Sequence, residues 1–210
     1  MSAVVEPNAK MNPGILAIWN DCAPGAEQQY EHWYRGEHLA ERVGVTGFVS
    51  GWRYIAVEAQ PNYFTHYVTE STDVLFSAAY EERMNNPTAL TTAIMSGVFL
   101  NCTRTICERV LRIGDARGAF ALVARFVVAQ DTGELTSKLQ RLAAQERVLR
   151  AELWTACAQS TQGSFAEVEI RGPDQAIAAC VIVETTDEDS ARALKPSLDS
   201  ELSGADQLGI

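Results

Sequence analysis

The chain has 210 residues, of which 47% are hydrophobic and 21% charged, and its formal net charge is −10. A chain of this length hides about 70% of its unfolded surface in one large or two small domains, so a packed core is expected and wholesale disorder is not. The acid excess argues against a nucleic-acid-binding face and against an anionic membrane surface, because both need concentrated positive charge. It is also even: residues 1–115 hold 8 Lys+Arg and 13 Asp+Glu and residues 116–210 hold 9 and 14, so neither half is a basic arm or an acidic tail.

The five cysteines, Cys22, Cys102, Cys107, Cys157 and Cys180, are odd in number and contain no C-x-x-C. They indicate neither a zinc site nor a disulfide framework and are expected to be small core hydrophobes in a reducing compartment. Met1–Asn12 lacks the apolar stretch of a secretory signal, and no apolar run reaches the roughly 20 residues of a membrane helix. The expectation is a cytoplasmic protein.

In chain order, Met1–Asn12 reads as a polar lead-in and Gly14–Asn20 (GILAIWN) as a short strand. Ala26–Val43 reads as a helix, with Tyr30, Trp33 or Tyr34, and Glu37 or His38 recurring at three- and four-residue intervals; Gly44 and Gly47 break it. Gly47–Glu58 and Tyr63–Thr69 have strand composition. Ser71, Thr72 and Asp73 are N-cap residues for a helix to about Met84, stopped by Asn85-Asn86-Pro87. A short helical piece to Met95 and a long strand, Leu100–Ile113, complete a β-α-β-β-α-β order, the split ferredoxin-like unit.

After Gly114–Gly118 the pattern restarts. Ala119–Val128 reads as a strand, and Thr132–Arg150 as a helix with Leu135, Leu139, Leu142 and Leu149 in one stripe. Glu152–Gln159, Phe165–Arg171 and Ile177–Glu184 read as three strands. Asp187–Leu198 reads as a helix capped by Asp187, and Asp206–Ile210 as a weak last strand. The second half is thus a degenerate copy of the first, blurred by one extra strand. Two sheets with one helix-covered and one apolar face each bury the apolar faces most simply against each other. The fold class expected is α+β: two ferredoxin-like halves, 1–115 and 116–210, forming a pseudo-dimeric α+β barrel in one chain.

Within the first half, Trp33-Tyr34, Glu37-His38-Leu39, Glu41-Arg42, Gly47-Phe48 and Arg53-Tyr54 form a spaced pattern over Glu31–Tyr54. This stretch resembles the EthD-like branch of the dimeric α+β barrel superfamily, named for an ethyl tert-butyl ether degradation system. Thr46 stands where that pattern usually has proline, and the second half carries no copy. The resemblance implies the barrel fold and a small-molecule protein. The superfamily includes cofactor-independent monooxygenases, lactone isomerases, polyketide cyclases, haem-dependent enzymes and proteins without known activity.

All three histidines, His32, His38 and His66, lie in the first half, so any proton transfer near neutral pH belongs there. His38, with Tyr34 one turn before it and Glu41 about one turn after, is the candidate acid/base, in a pocket between the first-half sheet and its helices. The competing reading is that His38 bonds Glu41 or a backbone carbonyl and only ties the helix to the sheet. Arg53 is the candidate anchor for a ligand carboxylate or phenolate, or else a salt bridge to Glu41 or Glu108. Trp33, Tyr34, Trp52, Tyr63 and His66 are the candidate ligand-binding residues, the aromatic ones serving equally as core. His66 shares strand parity with Phe64 and Val68, and His32 is expected to face solvent.

The function expected is that of an EthD-like small-molecule protein acting on a small hydrophobic or aromatic compound, as a cofactor-independent oxygenase, isomerase or cyclase. The alternatives are a non-catalytic binding or stress-response module and a haem protein, for which His38 or His66 would be the axial ligand. No cofactor and no metal are required by the sequence, and sheet edges offer surfaces for a homodimer.

Overall fold

Alternating side chains let a strand serve two layers at once. In β1 (Gly14–Cys22), Ile15, Ala17 and Trp19 join one buried cluster while Leu16 joins another on the opposite face. The computed structural model describes residues 12–158 and 165–210, with the backbone alone at 207 and 208. The lead-in expected at Met1–Asn12 therefore lies, apart from Asn12, outside the described residues.

The first half continues with α1 (Glu27–Trp33), a π-helical turn (Tyr34–His38) and α2 (Leu39–Val43). Then come β2 (Phe48–Ile55), β3 (Tyr63–Thr69), α3 (Ala78–Asn85), α4 (Ala89–Met95) and β4 (Phe99–Ile113). The second half comprises β5 (Phe120–Phe126), α5 (Thr132–Ala143), β6 (Arg150–Ala156), α6 (Ala166–Arg171), β7 (Ala179–Thr185), α7 (Glu188–Glu201) and β8 (Gln207–Gly209). All eight strands lie in one antiparallel sheet ordered β2-β3-β1-β4-β6-β7-β5-β8. Each run of four is a ferredoxin-like half.

The two seams between the halves differ. At the first, Cys107–Ile113 of β4 ladders against Ala151–Ala156 of β6. At the second, the chain just beyond β2 meets the residue after β8: Val57 and Glu58 N–H donate to the Ile210 carbonyl at 2.8 and 3.1 Å, and Ile210 N–H to that of Glu58 at 3.3 Å. The sheet so curled buries Trp19, Phe64 and Val68 from one half against Ala121, Trp154, Cys180 and Ile182 from the other. With helices outside and a packed barrel inside, every residue of β3 and β7 is buried. The amphipathic stripe of α5, Leu135, Leu139 and Leu142, covers the second half's outer face, and Asp131 caps the helix by accepting from Glu134 N–H at 2.6 Å.

Three expectations are corrected. Phe165–Arg171 is not a strand: its core is the helix α6, which packs on α3 and α4. Six residues with apolar positions at Val168 and Ile170 fit either period, and the ion pair of buried Glu167 with Arg42 decides between them. With that strand gone, the second half repeats the first more closely than its sequence suggests. The α5 helix stops at Ala143, because Leu149 N–H pairs with the Glu184 carbonyl and so belongs to the sheet edge. Ser71–Asp73 does not cap a long helix; Thr72–Phe76 is a 3-10 turn, and Ser77 caps α3 by accepting from Tyr80 N–H. The far end of the strand expected at Glu152–Gln159 falls on Gln159, outside the described residues.

Candidate functional site

The π turn sets the first group of candidate residues. Leu39 N–H donates to the Tyr34 carbonyl, an i→i+5 bond that turns residues five apart onto one side. The Trp33 and His38 rings lie 4.2 Å apart as a result, and the Tyr34 and His38 rings 5.3 Å. Trp33 is held by its indole N–H to Thr91 Oγ1 at 3.0 Å, and Thr91 in turn donates to Glu37 at 3.1 Å. The Tyr34 and Tyr67 hydroxyls meet at 3.3 Å. His38 is 4% exposed and its Nδ1 has no partner. Burial, then the charges of Arg42 and Arg171, hold its pKa well below the usual imidazole value, so the ring is neutral. Glu41 pairs with Arg83 at 3.1 Å, so the expected Tyr34–His38–Glu41 line does not form. The space beside His38 is about 20 Å³, enough for a water-sized guest and far too small for an aromatic compound.

Arg53 points to the same helix-covered face. Its partner is Glu31 of α1, through two hydrogen bonds of 2.7 and 3.1 Å, not Glu41 or Glu108. Its guanidinium carbon sits 4.5 Å from the ring centroids of both Tyr34 and Tyr63. A cation so paired and sandwiched fastens α1 to the sheet.

Trp52 and His66 face the barrel instead, since β2 and β3 pair Trp52 with His66 and Arg53 with Thr65. His66 is enclosed by Phe64 (5.4 Å), Trp154 (5.0 Å) and Tyr54 (6.2 Å), with Nε2 3.4 Å from Arg117 Nη1. Burial and the charges of Arg117, Arg150 and Arg109 lower its pKa as well. Trp52 lies at the surface under Arg117, which is paired with Glu184 at 2.6 Å. The seven sequence candidates therefore do not form one site: His38, Trp33, Tyr34, Arg53 and Tyr63 lie on one side of the sheet, Trp52 and His66 on the other. Haem does not fit either histidine, because His38 faces a water-sized space and His66 is packed among rings. Among the described residues, no three His, Cys, Asp or Glu side chains are grouped as metal ligands would be.

A cavity of about 380 Å³ lies inside the barrel at the second seam. Its wall includes Trp19, Phe64 and Tyr54, whose rings stack in sequence at 4.7 and 5.7 Å. Ala121, Val123 and Ile210 close the opposite side, and the exposed residues Ala59, Gln60, Asn62 and Asp206 form the rim. Arg125 of β5 is 8% exposed and lines this space. Its guanidinium carbon lies 5.0 Å from the Trp19 ring centroid, and Nη2 donates to the Gln60 carbonyl at 2.9 Å. Among the described residues it forms no ion pair. Tyr54 donates to Glu184 at 3.4 Å, and burial pushes its hydroxyl pKa up to about 12. The concentration of aromatic residues that includes Trp19, Tyr54 and Phe64 was one signal in the sequence; Arg125, a lone charge within an apolar strand on the parity of Ala121 and Val123, was the one missed.

No protein-family model and no curated protein matches the sequence. Among solved structures, an anthrone oxidase-like protein superposes with TM-score 0.58 at 10% identity, over 93% of this chain and 85% of that one. A candidate monooxygenase from Fusobacterium nucleatum superposes with TM-score 0.52 at 13% identity, covering 94% and 89%. Chlorite dismutase from Candidatus Nitrospira defluvii does so with TM-score 0.50 at 9% identity, covering 96% and 89%. Identities this low speak to architecture alone. The protein has the dimeric α+β barrel fold, here completed by the two halves of one chain.

Proposed function

We propose that this is a small-molecule protein of the EthD-like kind, whose ligand is a small aromatic or hydrophobic anion held in the barrel cavity. The observation that carries the reading is Arg125, a buried guanidinium with no carboxylate partner among the described residues, laid over Trp19 at the edge of a 380 Å³ aromatic-walled space. A buried cation without a counter-charge is costly, and a ligand carboxylate or phenolate would supply one. The volume falls within the range of small-molecule pockets. The cavity draws on both halves, so the second half supplies the anchor as well as a wall. The names of the structural neighbours, a candidate monooxygenase and an anthrone oxidase-like protein, fit a role in oxidative chemistry on such compounds. Anchoring thus passes from Arg53, which Glu31 already neutralises, to Arg125.

The test is calorimetric titration of the protein with benzoate, salicylate, cinnamate and 1-naphthoate, each beside its neutral amide. The expected result is saturable binding of at least one acid, about tenfold or more tighter than its amide, the factor that about 1.4 kcal/mol provides. Equal affinity for acid and amide, or no saturation with any acid, overturns the proposal.

A further inference from the structure

Seven buried side-chain nitrogen and oxygen atoms among the described residues have no hydrogen-bond partner, and four of them belong to three side chains lining one space: His38 Nδ1, Arg42 Nη1, and Arg171 Nε and Nη1. This is the space of about 20 Å³ between the first-half sheet and the helices over it, α6 included, on the opposite side of the sheet from the barrel cavity. Native proteins leave few buried polar atoms unpaired, so four on side chains that line one space call for an occupant.

The chemistry of the walls selects the occupant. Arg42 is paired with Glu167 and Arg171 with Asp174. Arg104, which also lines the space, has the Tyr80 hydroxyl at 3.0 Å as its hydrogen-bond partner and no ion pair among the described residues. Three guanidiniums thus face two carboxylates, and His38 beside them is neutral. The unpartnered guanidinium nitrogens can only donate, and His38 would join them in its Nδ1–H tautomer. A single water accepts two hydrogen bonds and brings two protons needing acceptors, so it would leave donors unmet. A spherical anion accepts from every direction and cancels the surplus charge.

We infer that this space is a binding site for a monatomic halide, chloride being the chemically simplest, held by Arg42, Arg171 and His38. The bound anion would join α2 to α6, reinforcing the Arg42–Glu167 contact between the two halves. His38 then serves as an anion ligand, a role that needs no acid/base step.

The experiment compares the full-length protein in sodium gluconate with sodium chloride or bromide at constant ionic strength. A ligand at 100 times its Kd raises the melting temperature of a protein this size by roughly 5–10 °C. The expected result is a saturable rise with either halide but not with gluconate, reduced at least tenfold in apparent affinity in His38→Gln. Because variants at a buried site are prone to misfold, bromide anomalous diffraction on wild-type crystals gives the second readout. It should show a peak among His38, Arg42 and Arg171. Identical melting in gluconate and halide, or a water with no anomalous signal at that position, overturns the inference. Neither result depends on the barrel cavity, whose aromatic-acid titration succeeds or fails separately.

Discussion

Replacing Arg125 by methionine separates a ligand anchor from a structural arginine. Methionine keeps most of the length and removes the charge. In the fold, the change deletes a charged hydrogen bond to the Gln60 carbonyl, worth about 1.5–3 kcal/mol, and a cation–π contact with Trp19 of about 0.5–2 kcal/mol. It also removes the penalty of burying an unpaired cation, several kcal/mol on the same scale. Gln60 is exposed, so water takes over its carbonyl and leaves no orphan. These terms oppose each other, and the net stability change is expected to stay within about 2 kcal/mol. Ligand binding has no such compensation. Losing the guanidinium–carboxylate contact should cost about 1.5–3 kcal/mol, which is roughly 10- to 150-fold in Kd. Urea denaturation and calorimetric titration on the same preparations check both numbers. A variant that binds aromatic acids as wild type does, or that loses more than about 4 kcal/mol of stability, would refute the reasoning, since Arg125 would then be structural.

Three further outcomes follow from the geometry. His38 and His66 are held neutral in the fold by burial and neighbouring arginines, whereas unfolding returns them to about 6.5. Below pH 6.5 the unfolded state binds more protons, so stability is full above that pH and falls as pH drops, by up to about 2.7 kcal/mol per unit for the pair. Urea midpoints at pH 7.5 and 5.5 test this, and equal midpoints would contradict it. Gly209→Val should open the second seam, because a Cβ there meets Ala59 Cβ at 2.3 Å and the Glu58 carbonyl oxygen at 3.0 Å. The expected cost is about 1–3 kcal/mol, with faster amide exchange at Val57, Glu58 and Ile210 but not along β4–β6. Asp131→Ala removes the α5 cap and should destabilise the protein by about 1 kcal/mol, seen as a lower melting temperature; an unchanged melt would mean that the end of α5 adds nothing.

Much of the architecture was legible because it is written in local periods. Tyr63–Thr69 reads as a strand from its β-branched and aromatic residues, and the structure has β3 over that same span. The Leu135, Leu139 and Leu142 stripe reads as a helix face and is one. The family-like pattern around Glu31–Tyr54 was legible too, yet its side chains turn out to hold elements together: Trp33 and Glu37 on α4, Arg42 on α6, Arg53 on α1. Phe165–Arg171 reads as a strand yet folds as a helix, because seven residues are too few to tell a period of 2 from one of 3.6.

The sequence by itself determined most of the strands and helices, and that two similar halves would bury their apolar faces together. Hydrogen-bonded periodicity and burial act over neighbouring residues, so a linear string carries them. Only the tertiary structure decided which functional residues meet. Arg53 and Trp52 are adjacent in sequence yet lie on opposite sides of the sheet, while Trp19 and Arg125 are more than a hundred positions apart and touch across the barrel. The closing of the chain beyond β2 onto Ile210 makes the cavity, and the packing of α6 on α3 and α4, with its Glu167 paired to Arg42 of α2, gathers the arginines around His38. Contacts of that range depend on strand register and on the packing of layers, which no local pattern encodes.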